Sequence, residues 1–399
     1  MTPSPGRPSP PPPPPPAQPQ PGRSPSQLPS PPALARPGGP VRAGRPGHGG
    51  YLDLYYRLEL WEEPLLPRPW RRAQVPLPPE TAGHPQVQRA IAWLAAYHQS
   101  HSWQMMRALG CSEYSFSRTI RPLYEAGLVA RARFNPYRIG ATPYMYQLNP
   151  GAPLRAWLRD LSWADWLGVT GGTKISRANY PRHNMLVAEL ALQTAERLPQ
   201  VAQVMGEPYA HATRMVPGTT NTSIGDCVLV LGSGLRVMVE LVANLGDDVQ
   251  RKIVRWGRLL TGGPASRLGL VVLLLNAAAP SRYKAVARHL RRMVHTGLEG
   301  RQLGPPGGGW ATSREVQLAR DSMYIAGWPD WFSPGGQPTG EFLQLQAWHA
   351  ASDDSFVSSS ILKHPFRPAQ PAHWQDPVRN LPRLYATPQA LRARHSPPA

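Results

Sequence analysis

The chain has 399 residues, with 50 prolines, 36 glycines and a formal net charge of +19. That length holds two modest domains, and so large an excess of positive charge calls for an anionic partner, nucleic acid or an acidic surface. Two cysteines, Cys111 and Cys227, exclude a disulfide framework and a cysteine zinc cluster, and the longest apolar stretch, Leu268 to Ala279, is too short to span a bilayer as a helix. With no basic-then-apolar leader, a reducing cytoplasm and no membrane association are expected. Arginine dominates the basic residues, a bias that a GC-rich genome also produces.

Residues 1–50 contain 19 prolines, five arginines and no acid. Such a segment buries no core and is expected to be a disordered, Pro-rich arm, a passive tail more readily than a phosphate-brushing one. Residues 51–85 carry an apolar patch, Tyr51 to Trp61, as a strand or short helix; the pattern leaves both open.

Residues 86–149 change character. Val87, Ile91, Leu94 and Ala95 recur at helical spacing, and the helix should end near His98. Ser102 to Leu109 reads as a second helix closed by Gly110. Ser112 can cap a third helix that runs to Glu125 and stops at Gly127. Leu128 to Phe134 and Tyr144 to Leu148 then read as two strands around an Asn135–Arg138 turn. Three helices and a hairpin in this order describe a winged helix-turn-helix. Its third helix should turn Tyr114, Ile120, Leu123 and Tyr124 inward, with Ser115, Ser117, Arg118 and Arg121 toward double-stranded DNA. Arg131, Arg133 and Arg138 of the hairpin would meet phosphates or the minor groove. Pro122 argues against an unbroken third helix, which should kink there or begin later.

Residues 150–182 read as a linker in which Leu154 to Leu167 forms one helix. Residues 183–297 read as an α/β domain in the order α-β-β-β-α-β-α. It runs from a helix at His183–Leu198, through strands at Val201–Met205, Cys227–Leu231 and Leu235–Val242, to a helix at Asp247–Leu260. A buried strand at Leu268–Leu275 and a basic helix at Tyr283–His295 complete it. Residues 298–399 are rich in Pro, Gly and Trp and read as an irregular extension, with short helices near Ser313–Arg320 and Phe342–Ala350. The fold class is therefore α+β and multidomain.

Two acids of the α/β domain carry the chemistry. Asp226 precedes one strand, and Glu240 interrupts the apolar pattern of the next, on the face of Met238 and Val242. Together they could hold a hard divalent metal, Mg²⁺ or Mn²⁺, which takes one or two carboxylates plus water and phosphate oxygens. A nearby lysine would stabilise charge on a phosphate. A purely structural reading pairs Glu240 with Arg236 or Arg251 and leaves Lys252 on a solvated face and His183 as a packing residue.

The ordered set of motifs resembles the replication-relaxation family of bacterial plasmids and mobile elements, a winged helix followed by a PD-(D/E)xK nuclease-like domain. The residues that carry the resemblance are Ser117 to Val129, Arg182 to Leu190, Gly225-Asp226, Val239-Glu240-Leu241 and Arg251 to Trp256. It implies a restriction-endonuclease-like α/β domain with Asp226, Glu240, Lys252 and His183 as catalytic residues and Asp226 and Glu240 on the metal. Where the motif has a lysine two residues after the glutamate, this chain has Val242, so Lys252 would replace it from the following helix. Gly225 stands where the family has proline. Either an active metal-dependent endonuclease or nickase, or a degenerate core that grips DNA, is expected, with a homodimer and replication or mobilisation proteins as further partners. The alternative is a winged-helix transcription regulator whose second domain dimerises or senses a ligand.

Overall fold

Local signals start and stop the three helices between residues 85 and 125 where the sequence marks them. In this computed structural model the described residues are 76–133, 144–175, 180–216, 218–261, 265, 269–304, 308–333, 336–353 and 355–365. They all fall in one compact unit, residues 46–399. Helix α1 (Pro85–Tyr97) has a proline at its first position and His84 as its cap, whose ring accepts from the Gln86 N–H at 3.2 Å. Helix α2 (Ser102–Leu109) ends on Gly110 in the left-handed region, φ 59°. Helix α3 (Glu113–Glu125) is capped by Ser112, which accepts from the Ser115 N–H at 3.3 Å. Pro122 neither shortens nor delays α3, which runs through it to Glu125.

A short strand β1 (Gln99–His101), unforeseen because Gln-Ser-His has no strand pattern, lies between α1 and α2. It pairs antiparallel with β3 (Tyr144–Leu148), which pairs with β2 (Val129–Arg133), so the sheet order is β1-β3-β2. Val87, Ile91, Leu94, Met105, Leu109, Phe116, Ile120 and Leu123 form the core beneath it. The single helix expected at Leu154–Leu167 is two, α4 (Ala152–Arg159) and α5 (Trp163–Thr170). Ser162 starts the second by accepting from the Asp165 N–H at 3.1 Å, which breaks the run.

Helix α6 (Pro181–Arg197) opens the larger layer structure. Strands β4 (Val201–Gly206), β5 (Cys227–Leu231) and β6 (Arg236–Val242) form an antiparallel meander. Helix α7 (Asp247–Thr261) crosses to β7 (Leu270–Asn276), parallel to β6. The order α-β-β-β-α-β is as expected from the hydrophobic pattern. Helix α8 (Tyr283–Gly297) and helix α9 (Ser313–Ser322) follow.

The described residues beyond 297 are not an irregular extension. Strand β8 (Met323–Gly327) adds parallel to β7, and β9 (Gln346–Ala350) and β10 (Phe356–Ser360) add antiparallel, giving a seven-stranded sheet β10-β9-β8-β7-β6-β5-β4. The helix expected at Phe342–Ala350 is one helical turn, Gly340–Leu343, followed by β9. In β9 the buried residues, Ala347 and Ala350, lie three apart, so no two-residue alternation marks the strand in its Pro- and Gly-rich surroundings. Helix α6 packs on one sheet face with Val237, Val239 and Leu241; α7, α8 and α9 pack on the other with Met238, Val242, Val272 and Leu274.

Candidate functional site

Antiparallel pairing of β5 with β6 brings Asp226 and Glu240 to one end of the sheet, far from the Gly232–Gly234 turn. The Asp226 N–H donates to the Val239 carbonyl at 2.8 Å, and its Oδ2 accepts from the Leu241 N–H at 2.6 Å. The aspartate is thus tied to the residue on each side of Glu240. Gly225 is required there: a Cβ at that position would lie 2.3 Å from the Met238 Sδ and 3.0 Å from the Val239 carbonyl oxygen. That contact explains why glycine stands at this position.

The sequence-predicted quartet comes together. His183, in the first turn of α6, lies with its Nε2 3.0 Å from Asp226 Oδ1. Lys252 Nζ donates to Glu240 Oε2 at 2.6 Å, and Trp256 Nε1 donates to Glu240 Oε1 at 2.8 Å. Lys252 and Trp256 are four residues apart, one turn of α7, so both reach the same carboxylate. Trp256 entered the sequence reading as the end of the Arg251–Trp256 motif, with no role assigned; its i, i+4 spacing from Lys252 was the signal for one. Glu240 pairs with neither Arg236, which donates to the Met215 carbonyl at 2.6 Å, nor Arg251, which pairs with Asp248. Glu189 turns away from the quartet and accepts from Arg107 Nη1 at 2.9 Å.

The electrostatics follow from an uneven contact with water. The Glu240 side chain is 3% exposed and that of Lys252 38%, so desolvation falls on the glutamate. Burial, reinforced by Asp226, pushes Glu240 up to about 7 against the opposing pull of Lys252 and Trp256. Burial works the same way on Asp226, but His183, Lys252 and the Leu241 N–H outweigh it and hold that carboxylate below its ordinary range. For His183 burial favours the neutral ring, yet the charge of Asp226 and its hydrogen bond win and raise the pKa. Burial pulls Lys252 down, and Glu240 and Asp226 more than restore it. Positive and negative groups therefore alternate, His183, Asp226, Lys252, Glu240, with Asp226 hydrogen-bonded to α6 and Glu240 to α7.

Two carboxylates suit a hard divalent ion in kind, and each oxygen keeps a second lone pair beside its protein hydrogen bond. Among the described residues no group of three or more His, Cys, Asp and Glu side chains is arranged to hold a metal ion.

On the smaller sheet, Ser117, Arg118 and Arg121 are exposed along α3, opposite buried Phe116, Ile120 and Leu123, and Ser115 is half-buried. Tyr114 does not face the core; it is 73% exposed, with Arg118 5.9 Å from its ring centre. Arg131 lies between two rings, 4.1 Å from Tyr124 and 4.7 Å from Tyr144. Arg133 closes β2, and Arg138 lies outside the described residues. No helix among the described residues is long and apolar enough to cross a membrane. No protein-family model matches the chain, and no curated protein or solved structure is significantly similar to it.

Proposed function

We propose that this protein binds double-stranded DNA through residues 85–148 as a winged helix and carries a restriction-endonuclease-like domain behind it, in the manner of the replication-relaxation proteins it resembles. The observation that carries the reading is the two-sided character of α3: Phe116, Ile120 and Leu123 in the core, Ser117, Arg118 and Arg121 in solvent. A recognition helix needs that division, because only a packed helix holds its outer side chains in register with base edges. Strand order β1-β3-β2 suits the same reading, with Arg131 on the hairpin stiffened by two tyrosines.

The second half of the proposal rests on the quartet at the end of an α-β-β-β-α-β core. Mg²⁺ or Mn²⁺ bound by Asp226 and Glu240 would supply Lewis acidity toward a phosphodiester. Lys252 would hold negative charge on the phosphate, and His183, a partly exposed imidazole with a raised pKa, would keep its proton toward Asp226 Oδ1 and orient that carboxylate.

Duplex binding by electrophoretic shift, with supercoiled plasmid incubated with and without Mg²⁺ or Mn²⁺, tests both halves. Arg118→Ala with Arg121→Ala should weaken duplex binding more than Arg288→Ala with Arg291→Ala; equal losses would remove the winged helix from the interface. Metal-dependent nicking that disappears in Asp226→Asn makes the domain a nuclease. Binding without nicking leaves it a DNA-gripping platform.

A further inference from the structure

Helix α8 carries Lys284, Arg288, His289, Arg291, Arg292 and His295 and no acid. Its inner face, Val286, Leu290, Met293 and Val294, is buried. Lys284 and Arg288 are exposed, four residues apart on one side of the helix, and Arg291 continues that side by another turn. These cations form one wall of a groove of about 550 Å³. Asp330, Glu341 and Trp348 of β9 also line it.

Trp348 is 37% exposed, and the Arg291 guanidinium sits 4.9 Å from its ring centre and 5.6 Å from that of Phe356. A planar guanidinium over an indole is itself a stacking platform. Tyr283 donates its hydroxyl to Asp330 Oδ2 at 2.7 Å and so closes the groove at the start of α8.

That end of the groove meets the charge quartet's end of the sheet. Asn276, last residue of β7, donates its side-chain amide to the Tyr283 carbonyl at 3.2 Å. Arg282 donates to Asn244 Oδ1 at 3.2 Å, and Asn244 follows β6, the strand of Glu240. Arg182, beside His183, donates to the Ala277 carbonyl at 2.5 Å.

We propose that the α8 groove binds a single, unpaired strand of DNA, with phosphates on Lys284 and Arg288 and a base stacked on the Arg291–Trp348 platform. A duplex hides its base faces in the stack, whereas an unpaired strand offers them to an aromatic ring. The carboxylates of Asp330 and Glu341 repel phosphate and accept from base N–H groups, the thymine N3–H among them, which sets the strand's orientation. This inference rests on the reading that the chain binds DNA, but neither on the α3 face nor on catalysis.

The test is fluorescence anisotropy of a labelled 20-nucleotide oligothymidine and of a labelled 20-base-pair duplex with the full chain. Lys284→Glu with Arg288→Glu, both at exposed positions, should weaken oligothymidine binding roughly ten-fold or more while changing duplex binding less than about three-fold, since reversed charges repel the contacted phosphates. Trp348→Ala should weaken it roughly five-fold or more, the loss expected for one stacked base; should that variant melt early, the charge pair carries the test alone. Unchanged oligothymidine affinity in the charge variant, equal losses on both ligands, or competition by polyglutamate as strong as by unlabelled oligothymidine would overturn the inference. A wild-type chain that binds the duplex but not oligothymidine overturns this inference alone, whereas one that binds neither overturns the DNA-binding reading as well.

Discussion

Lys252 shows how much one side chain can carry at this site. It neutralises Glu240 across 2.6 Å and lies within electrostatic reach of Asp226. Lys252→Met should abolish any metal-dependent nicking while leaving duplex binding unchanged, because α3 is untouched. It should also destabilise the fold by about 1–3 kcal/mol in urea unfolding. Breaking a buried pair costs more than that, but Lys252 is 38% exposed and water screens part of the loss. A variant that loses nicking with no change in stability would argue for a purely catalytic lysine. Gly225 gives a second residue-scale test. In Gly225→Ala the new Cβ meets the flexible Met238 side chain and, less forgivingly, the Val239 backbone carbonyl. The expected loss is about 1–3 kcal/mol, measured by chemical unfolding; an unchanged midpoint would show that β6 can move aside and that the Asp226 position is soft.

Among the elements, α2 and α6 form the joint between the two sheets. Arg107 of α2 reaches both Glu189 and Glu196 of α6, at 2.9 and 2.7 Å, while Gln104 donates to the Met185 carbonyl and to Glu189. Asn184 of α6 donates to Gln99 of β1, which donates to Gln147 of β3. The helix that carries His183 is therefore hydrogen-bonded to both α2 and the smaller sheet. Burial raises the Glu189 pKa, but Arg107, Gln193 and Gln104 overcome it, and the group titrates below its ordinary 4.5. A carboxylate depressed in the fold contributes stability that is complete above its unfolded pKa and is lost as pH falls through the folded one. The melting temperature should fall below about pH 4.5. Arg107→Leu should flatten that acid limb and cost about 3 kcal/mol at neutral pH, since it strands a buried charge. An acid limb of unchanged steepness in the variant would assign the dependence to other carboxylates.

At the scale of the whole molecule, the sheet continues past the α-β-β-β-α-β core. Met323 and Ile325 of β8 and Ala319 of α9 share a core with Val272 and Leu274 of β7 and Leu290 of α8. Tyr324, Trp328, Trp331 and Phe342 fill the other face beside Leu273 and Leu275. A chain cut after residue 297 would expose one edge of β7 and both of these surfaces. It should be insoluble or lack a cooperative thermal transition, whereas removal of residues 1–50, which hold no core-forming run, should leave the melting temperature unchanged. Calorimetry on the two truncations decides it, and a cooperative 1–297 fragment would make the added strands dispensable.

The three helices between residues 85 and 125, the hairpin and the α-β-β-β-α-β order were legible in the sequence because each rests on local signals. Ser112 and Gly110 mark helix ends, Val87, Ile91 and Leu94 repeat at 3.6 residues, and Val237, Val239 and Leu241 alternate around Glu240. An acid on the otherwise apolar strand and a lysine one turn before Trp256 were likewise visible as types and spacings, so the members of the quartet could be named. Their pairing could not, because Glu240 chooses Lys252 and Trp256 over Arg236 only once α7 has packed on the sheet. Strand β1 has no alternating pattern; Gln99 is buried because β3 and α6 supply its side-chain hydrogen bonds, and Ser100 because β3 pairs with its backbone and Trp93 of α1 donates to its hydroxyl. Strands β8 to β10 lie among prolines, glycines and tryptophans that read as irregular chain, and their pairing energy comes from β7, far away in sequence. What a residue does through its own backbone and its near neighbours is written locally; which strand it extends and which charge it meets is decided by contacts that exist only in the packed molecule.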